Sequence, residues 1–172
     1  MKRGVLVAGI GNIFQTDDAF GVEVAIRLAE RELPPGVRVE DFGIRGVHLA
    51  YELLEEYDAL ILVDAVPMGD APGTLAVIER ETAACMGSGI EAADAGVPAV
   101  DSHSMSPDVV LATLERLGGS VQRICIVGCQ PADLRDGMGL TPAVEAVVDR
   151  AVDLCIELAA DIVQLTEKGN LS

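Results

Sequence analysis

Residues 4–32 read GVLVAGIGNIFQTDDAFGVEVAIRLAERE, and this stretch decides the fold class. Its opening, Val5 to Ala8, is a continuously apolar run ending in glycine, as expected of a strand covered on both faces in a parallel sheet. Its close, Asp17 to Glu32, carries a helical pattern. Phe20, Val24 and Leu28 recur every four residues and would face the sheet. Thr16 stands where an N-cap belongs, and Asp17 and Asp18 suit the positive end of a helix dipole.

The same grammar repeats along the chain. Ala59 to Val63 and Ile124 to Val127 are further short apolar runs bounded by Gly or Asp. Val37 and Val39 alternate with charged residues and Thr74 to Ile78 is β-branched in part, so these two strands belong nearer a sheet edge. Helical patterns occupy His48 to Glu56 and Pro107 to Leu117. A long helix opens at Thr141 as N-cap with Pro142 at its first position, and Val144, Val148, Val152 and Cys155 or Ile156 form its apolar stripe. Strands alternating with helices predict one α/β domain over 1–172, a three-layer sandwich with a twisted, mostly parallel sheet and helices on both faces. Ligands in such sheets bind beyond the carboxyl ends of the strands, which directs attention to the segments after Ala8, Val63 and Val127. Residues 82 to 102, rich in Ala, Gly and Ser, read as a long loop, and long loops in compact domains often carry function.

Charge and composition narrow the partners. Twelve Lys and Arg oppose 28 Asp and Glu, a formal net charge of −16, and half the residues are apolar. That apolar fraction excludes a disordered acidic tail. The negative charge, with no Lys/Arg run, argues against nucleic acid, whose phosphates demand clustered cations; a basic or metal-bearing partner fits better. No apolar run is long enough to span a membrane, and the opening lacks a small-residue cleavage site, so the expected location is the cytoplasm. The four cysteines, Cys85, Cys125, Cys129 and Cys155, form no Cys-x-x-Cys pair and read as reduced thiols rather than zinc ligands.

The loop after the first strand begins like a dinucleotide fingerprint, but Phe14 falls where the third glycine of G-x-G-x-x-G belongs. It also brings two carboxylates, Asp17 and Asp18, to the place where a phosphate would need donors, so nucleotide binding is disfavoured. Asp64 follows five apolar residues at the end of ALILVDAV. A carboxylate there must be solvated, hydrogen-bonded or bound to a cation, and capping of the next turn is the ordinary alternative. His103, one of two histidines, lies in VDSHSMSPD just before a helix. Imidazole is a frequent transition-metal ligand and general base. The doubly wound topology can bring all three to one crevice, where two carboxylates and one imidazole suit a divalent transition metal with open positions. Asp17 and Asp101 rival Asp18 in such a site. His48 follows GIRGV and reads as a capping or surface residue.

The chain resembles the hydrogenase maturation proteases, endopeptidases that remove a C-terminal extension from the large-subunit precursor of nickel-iron hydrogenases. The resemblance rests on GIGNIFQTDDAFGVEVAIRL, DFGIRGVHLAYELL, LILVDAVPMGDAPGT, SHSMSP, and VGCQPADL followed by GLTPAVEAVV, five blocks in the family's order. It implies a twisted, mostly parallel sheet between helices. It also implies metal-contacting and catalytic roles for Asp18, Asp64 and His103, with Asp at position 18 where many relatives carry Glu. Nickel would arrive inserted in the precursor and be part of the substrate. The resemblance permits a monomer. Hydrolysis then has two routes: polarisation by the metal, or general-base action by Asp18 or Asp64. No D-[ST]-G surrounds Asp64, and neither G-x-S-x-G nor H-E-x-x-H occurs, which disfavours ordinary aspartic, serine and zinc protease mechanisms. The alternative function is a non-catalytic nickel-checking chaperone of the same precursor.

Overall fold

The computed structural model describes residues 4–81 and 107–169. Its strands are β1 (Val5–Ile10), β2 (Val37–Gly43), β3 (Ala59–Ala65), β4 (Leu75–Glu81) and β5 (Arg123–Cys129). They form one sheet in the order β2-β1-β3-β5-β4. The first four of that order run parallel, and β4 pairs antiparallel with β5. The three continuously apolar runs occupy the centre of the sheet, and the alternating β2 and the partly β-branched β4 its edges. Burial on both faces requires the first pattern and burial on one face the second.

The side-chain alternation of the central strands defines two cores. Val5 and Val7, Ala59, Ile61 and Val63, and Cys125, Val127 and Cys129 face one layer. That layer consists of α1 (Phe20–Ala29), the short α4 (Pro142–Glu145) and α5 (Val148–Gly169), which contribute Phe20, Val24 and Leu28, then Val144, then Val148, Val152 and Cys155. Leu6, Ala8 and Ile10, Leu60 and Leu62, and Ile124 and Ile126 face the other. There α2 (Gly46–Leu53) contributes Leu49 and Leu53, and α3 (Pro107–Arg116) contributes Val110 and Leu114. The three-layer α/β sandwich is therefore as expected. Among the described residues no helix is long and apolar enough to cross a membrane.

Two helix starts differ from the sequence expectation. Thr16 is not an N-cap: residues Thr16–Ala19 make a tight 3-10 turn, and α1 begins only at Phe20. Thr16 has φ of 48°, and its Oγ1 donates to the carbonyl of Arg135 at 2.7 Å, so the hydroxyl serves a distant loop instead of the helix beneath it. The helix expected to run on from Thr141 is broken at Ala146 and Val147. There the Val147 N–H turns to the Val144 carbonyl, three residues back, and closes the first turn early.

The close passage of α1 over the sheet positions what lies before it. A Cβ at Gly21 would stand 2.0 Å from the carbonyl oxygen of Val63 and 2.3 Å from that of Ile10. Only glycine lets the first turn of α1 rest directly on the ends of β1 and β3.

Candidate functional site

Two acids meet at that crossing. Asp18 lies in the 3-10 turn between β1 and α1, and its Oδ2 accepts the Asn12 N–H at 2.8 Å, which fixes the carboxylate over the carboxyl end of β1. Gly11 makes this turn possible: its φ is 139°, and a Cβ there would lie 1.9 Å from the Asp18 carbonyl oxygen. Asp64 is next to last in β3 and opposite Gly128 of β5. Its parity with Leu60 and Leu62 sets it on the α2/α3 side of the sheet.

The two carboxylates feel each other. Burial, first, and the charge on Asp18, second, push the Asp64 carboxyl up from 3.8 to about 8, against an opposing hydrogen bond from the Ala65 backbone. An acid that holds its proton near neutrality beside a second acid wants either that proton or a cation.

Asp17, the rival of Asp18, faces the other way and is fully buried. Its Oδ2 accepts the N–H groups of Ala132 and Asp133 at 2.8 and 3.0 Å. Its Oδ1 accepts the Thr141 N–H at 2.8 Å, and the Thr141 hydroxyl lies 2.9–3.0 Å from both oxygens. The lone pairs of Asp17 are thus spent on the chain between β5 and α4, and Asp17 anchors the turn from which Asp18 projects. Neighbours in sequence, the two acids divide scaffold from site.

His103 and Asp101 lie outside the described residues, as does the whole of the long segment 82 to 102. What the fold supplies is the position of α3: its first residue, Pro107, follows His103 by four and belongs to the layer on the Asp64 side. Among the described residues no three His, Cys, Asp or Glu side chains gather into a metal-binding group. His48 is an exposed residue of α2. Cys125, Cys129 and Cys155 are free and buried. Burial raises all three, Cys129 to about 11 and Cys155 to about 12, which keeps the thiols protonated and inert.

Two residues at the strand ends went unread in the sequence. Gln130 follows β5 directly. Its Oε1 accepts the Met68 N–H, its backbone N–H donates to Thr74 O at 2.8 Å, and its carbonyl accepts the Gly73 N–H at 2.9 Å. It thereby ties down the segment that leaves Asp64. Asp41, near the end of β2, has the one buried side-chain oxygen without a hydrogen-bond partner among the described residues, Oδ1. A polar residue immediately after a buried strand run was the available signal for Gln130. For Asp41 no local signal exists.

Comparison with known proteins agrees with this fold. The family model described as hydrogenase maturation protease matches residues 22–158. The hydrogenase expression/formation protein HupD of Rhodobacter capsulatus is 36% identical over 171 residues, covering 98% of this chain and 77% of its own. The hydrogenase 2 maturation protease of Escherichia coli strain K12 is 33% identical over 156 residues, covering 87% of this chain and 86% of its own. Among solved structures, the hydrogenase maturating endopeptidase HybD from E. coli superposes with a TM-score of 0.71 at 31% identity, covering 92% of this chain and 93% of that one. The hydrogenase maturation protease HycI from Thermococcus kodakarensis gives 0.65 at 25% identity, covering 92% and 94%. The chain belongs to the hydrogenase maturation protease family, and it is a peptide-bond hydrolase of the maturation-endopeptidase class.

Proposed function

We propose that this endopeptidase removes the C-terminal extension of a nickel-iron hydrogenase large-subunit precursor after nickel insertion, with Asp18, Asp64 and His103 as the residues that meet the metal-bearing substrate. One observation carries the reading: the Asp18 and Asp64 carboxylates converge at the ends of β1 and β3, and burial with the Asp18 charge pushes Asp64 up to about 8. Such a pair is relieved by a divalent cation, and carboxylate with imidazole suits a metal whose open positions are shared with another polypeptide. Nickel then belongs to the substrate and reports that the precursor is loaded. Asp64 gives up its proton when the cation docks. The scissile bond is thereby held beside a carboxylate that can take a proton from the attacking water. The reaction takes place in the cytoplasm, and the enzyme acts as a monomer on one precursor.

Intact mass of the large subunit tests this directly. The purified enzyme is mixed with its organism's precursor, prepared with and without nickel, and the mass followed over time. The proposal expects a discrete C-terminal loss from the nickel form alone. Binding of that form without shortening would instead mark a metal-checking chaperone, and loss from both forms would remove nickel from the recognition.

A further inference from the structure

Adding water to a peptide bond puts negative charge on its carbonyl oxygen, and a site that speeds the step aims a hydrogen-bond donor at that oxygen. Asp18 and Asp64 as carboxylates only accept, in a chain of net charge −16. Around them most donors are spent. On the turn between β1 and α1 the N–H groups of Gly11, Gln15, Thr16, Asp17 and Asp18 all go to main-chain carbonyls, and that of Asn12 goes to the Asp18 carboxylate. At the neighbouring strand ends Gln130 Nε2 donates to the Pro131 carbonyl at 3.2 Å, and Arg45 donates to the carbonyls of Asp41 and Phe42.

The side-chain amide of Asn12 is not spent. Its Oδ1 accepts the Phe14 N–H at 2.9 Å, which settles which end of the amide is oxygen and leaves the NH2 group at the other corner of the same plane. Nδ2 meets no acceptor among the described residues. Nor is it one of their buried unpartnered atoms, so it reaches solvent. Asn12 lines the open cavity beyond the ends of β1 and β2, where an extended chain can approach it. The residue that holds Asp18 Oδ2 at 2.8 Å through its backbone thus carries a free donor on its side chain. With Oδ1 pinned, the amide needs no reorganisation as charge develops, which is the source of such a donor's strength.

We propose that Asn12 is a catalytic residue whose Nδ2 donates to the carbonyl oxygen of the scissile peptide and holds the oxyanion formed when water adds. The oxygen of water bonds to the carbonyl carbon, one of its protons passes to a carboxylate of the acid pair, and the carbonyl π electrons move onto the oxygen facing Asn12. Collapse then breaks the C–N bond, and that proton leaves on the departing amine. The assignment rests on the endopeptidase reading of the Asp18 and Asp64 site.

Two substitutions test the amide and spare the turn. Asn12→Asp and Asn12→Ser both keep an oxygen for the Phe14 N–H, neither places an N–H where Nδ2 stood, and Asn12→Ser adds no charge beside Asp18. The Phe14 amide resonance and urea midpoints show that turn and fold persist. On the nickel-loaded precursor each variant should lose at least about 100-fold in kcat, the cost of removing one oxyanion donor, with KM within about twofold of wild type.

A residue that only shapes the turn or places Asp18 predicts otherwise, because both variants would then cut at near the wild-type rate. A smaller fall in kcat in either variant, or a loss carried by KM, would overturn the assignment. Wild-type enzyme that leaves the nickel-loaded precursor uncut would defeat the processing function and this assignment together, whereas wild-type cleavage with active variants defeats the role of Asn12 alone.

Discussion

Asp17 and Thr141, 124 residues apart, are joined through the backbone N–H and the hydroxyl of Thr141, both donated to one buried carboxylate. This junction holds the chain between β5 and α4 against the turn that carries Asp18. Removing the Asp17 carboxylate would orphan the N–H groups of Ala132, Asp133 and Thr141 in a dry site. Asp17→Ala should therefore cost about 3–5 kcal/mol in urea unfolding, the range for breaking a buried charged network by deleting one member. Thr141→Ala, which keeps the backbone donor, should cost only about 0.5–1.5 kcal/mol more than an ordinary surface substitution. The two should be strongly non-additive, since Thr141 has little left to lose once Asp17 is gone.

Asp64 sets a pH dependence of the opposite kind from an ordinary carboxylate. Unfolded, it loses its proton near 3.8; folded, it holds the proton until about 8. Between those values the folded state binds more protons than the unfolded, so the contribution of Asp64 to stability is greatest at low pH and falls as pH rises. In metal-free protein, Asp64→Asn should gain on the wild type by at least about 1 kcal/mol between about pH 4 and about pH 8. Urea midpoints of both proteins across that range measure it. A gain that runs towards low pH instead would refute the assigned shift.

Site variants should separate activity from folding. Asp18→Asn, Asp64→Asn and His103→Ala should each reduce shortening of the nickel-loaded precursor at least about 100-fold, the lower bound for loss of a positioned acid–base group. Circular dichroism and urea midpoints should show each variant folded. Full cleavage by folded Asp64→Asn and His103→Ala together would remove both from the site.

The central strands and both edges were legible because each is a local pattern: three unbroken apolar runs for β1, β3 and β5, alternation at Val37 and Val39 for β2. The apolar stripes of α1 and α5 were legible for the same reason. Thr16 misled because a threonine before two acids looks like a helix cap, while the hydroxyl is bound by Arg135, 119 residues away. The break at Ala146 and Val147 carries no Gly or Pro. It comes from a tightened backbone turn that nothing in those two side chains announces. Spacing likewise left Asp17 and Asp18 equivalent, since what divides them is the return of Ala132, Asp133 and Thr141 across the sheet end. Asp41 was silent because its unpaired oxygen depends on where the Arg45 guanidinium goes, a matter of three dimensions only.

Gly21 links the fold to the chemistry and permits the most discriminating test. An added Cβ would meet the carbonyl oxygens of Val63 and Ile10 at 2.0 and 2.3 Å, and neither belongs to a flexible side chain. The first turn of α1 must then lift from the ends of β1 and β3, carrying the 3-10 turn and Asp18 with it. Gly21→Ala should cost about 1–3 kcal/mol, the usual range for overpacking. The core stripe of Phe20, Val24 and Leu28 survives a small displacement, so the protein should remain folded. The gap between Asp18 and Asp64 does not survive it unchanged. The charge of Asp18 would bear less on Asp64, whose pKa should fall from about 8, while processing should drop well beyond what the stability loss explains. NMR titration of the Asp64 carboxyl beside precursor cleavage reads both effects in one variant. An unchanged Asp64 titration in folded Gly21→Ala would show that the close passage of α1 does not set the pairing of the two acids.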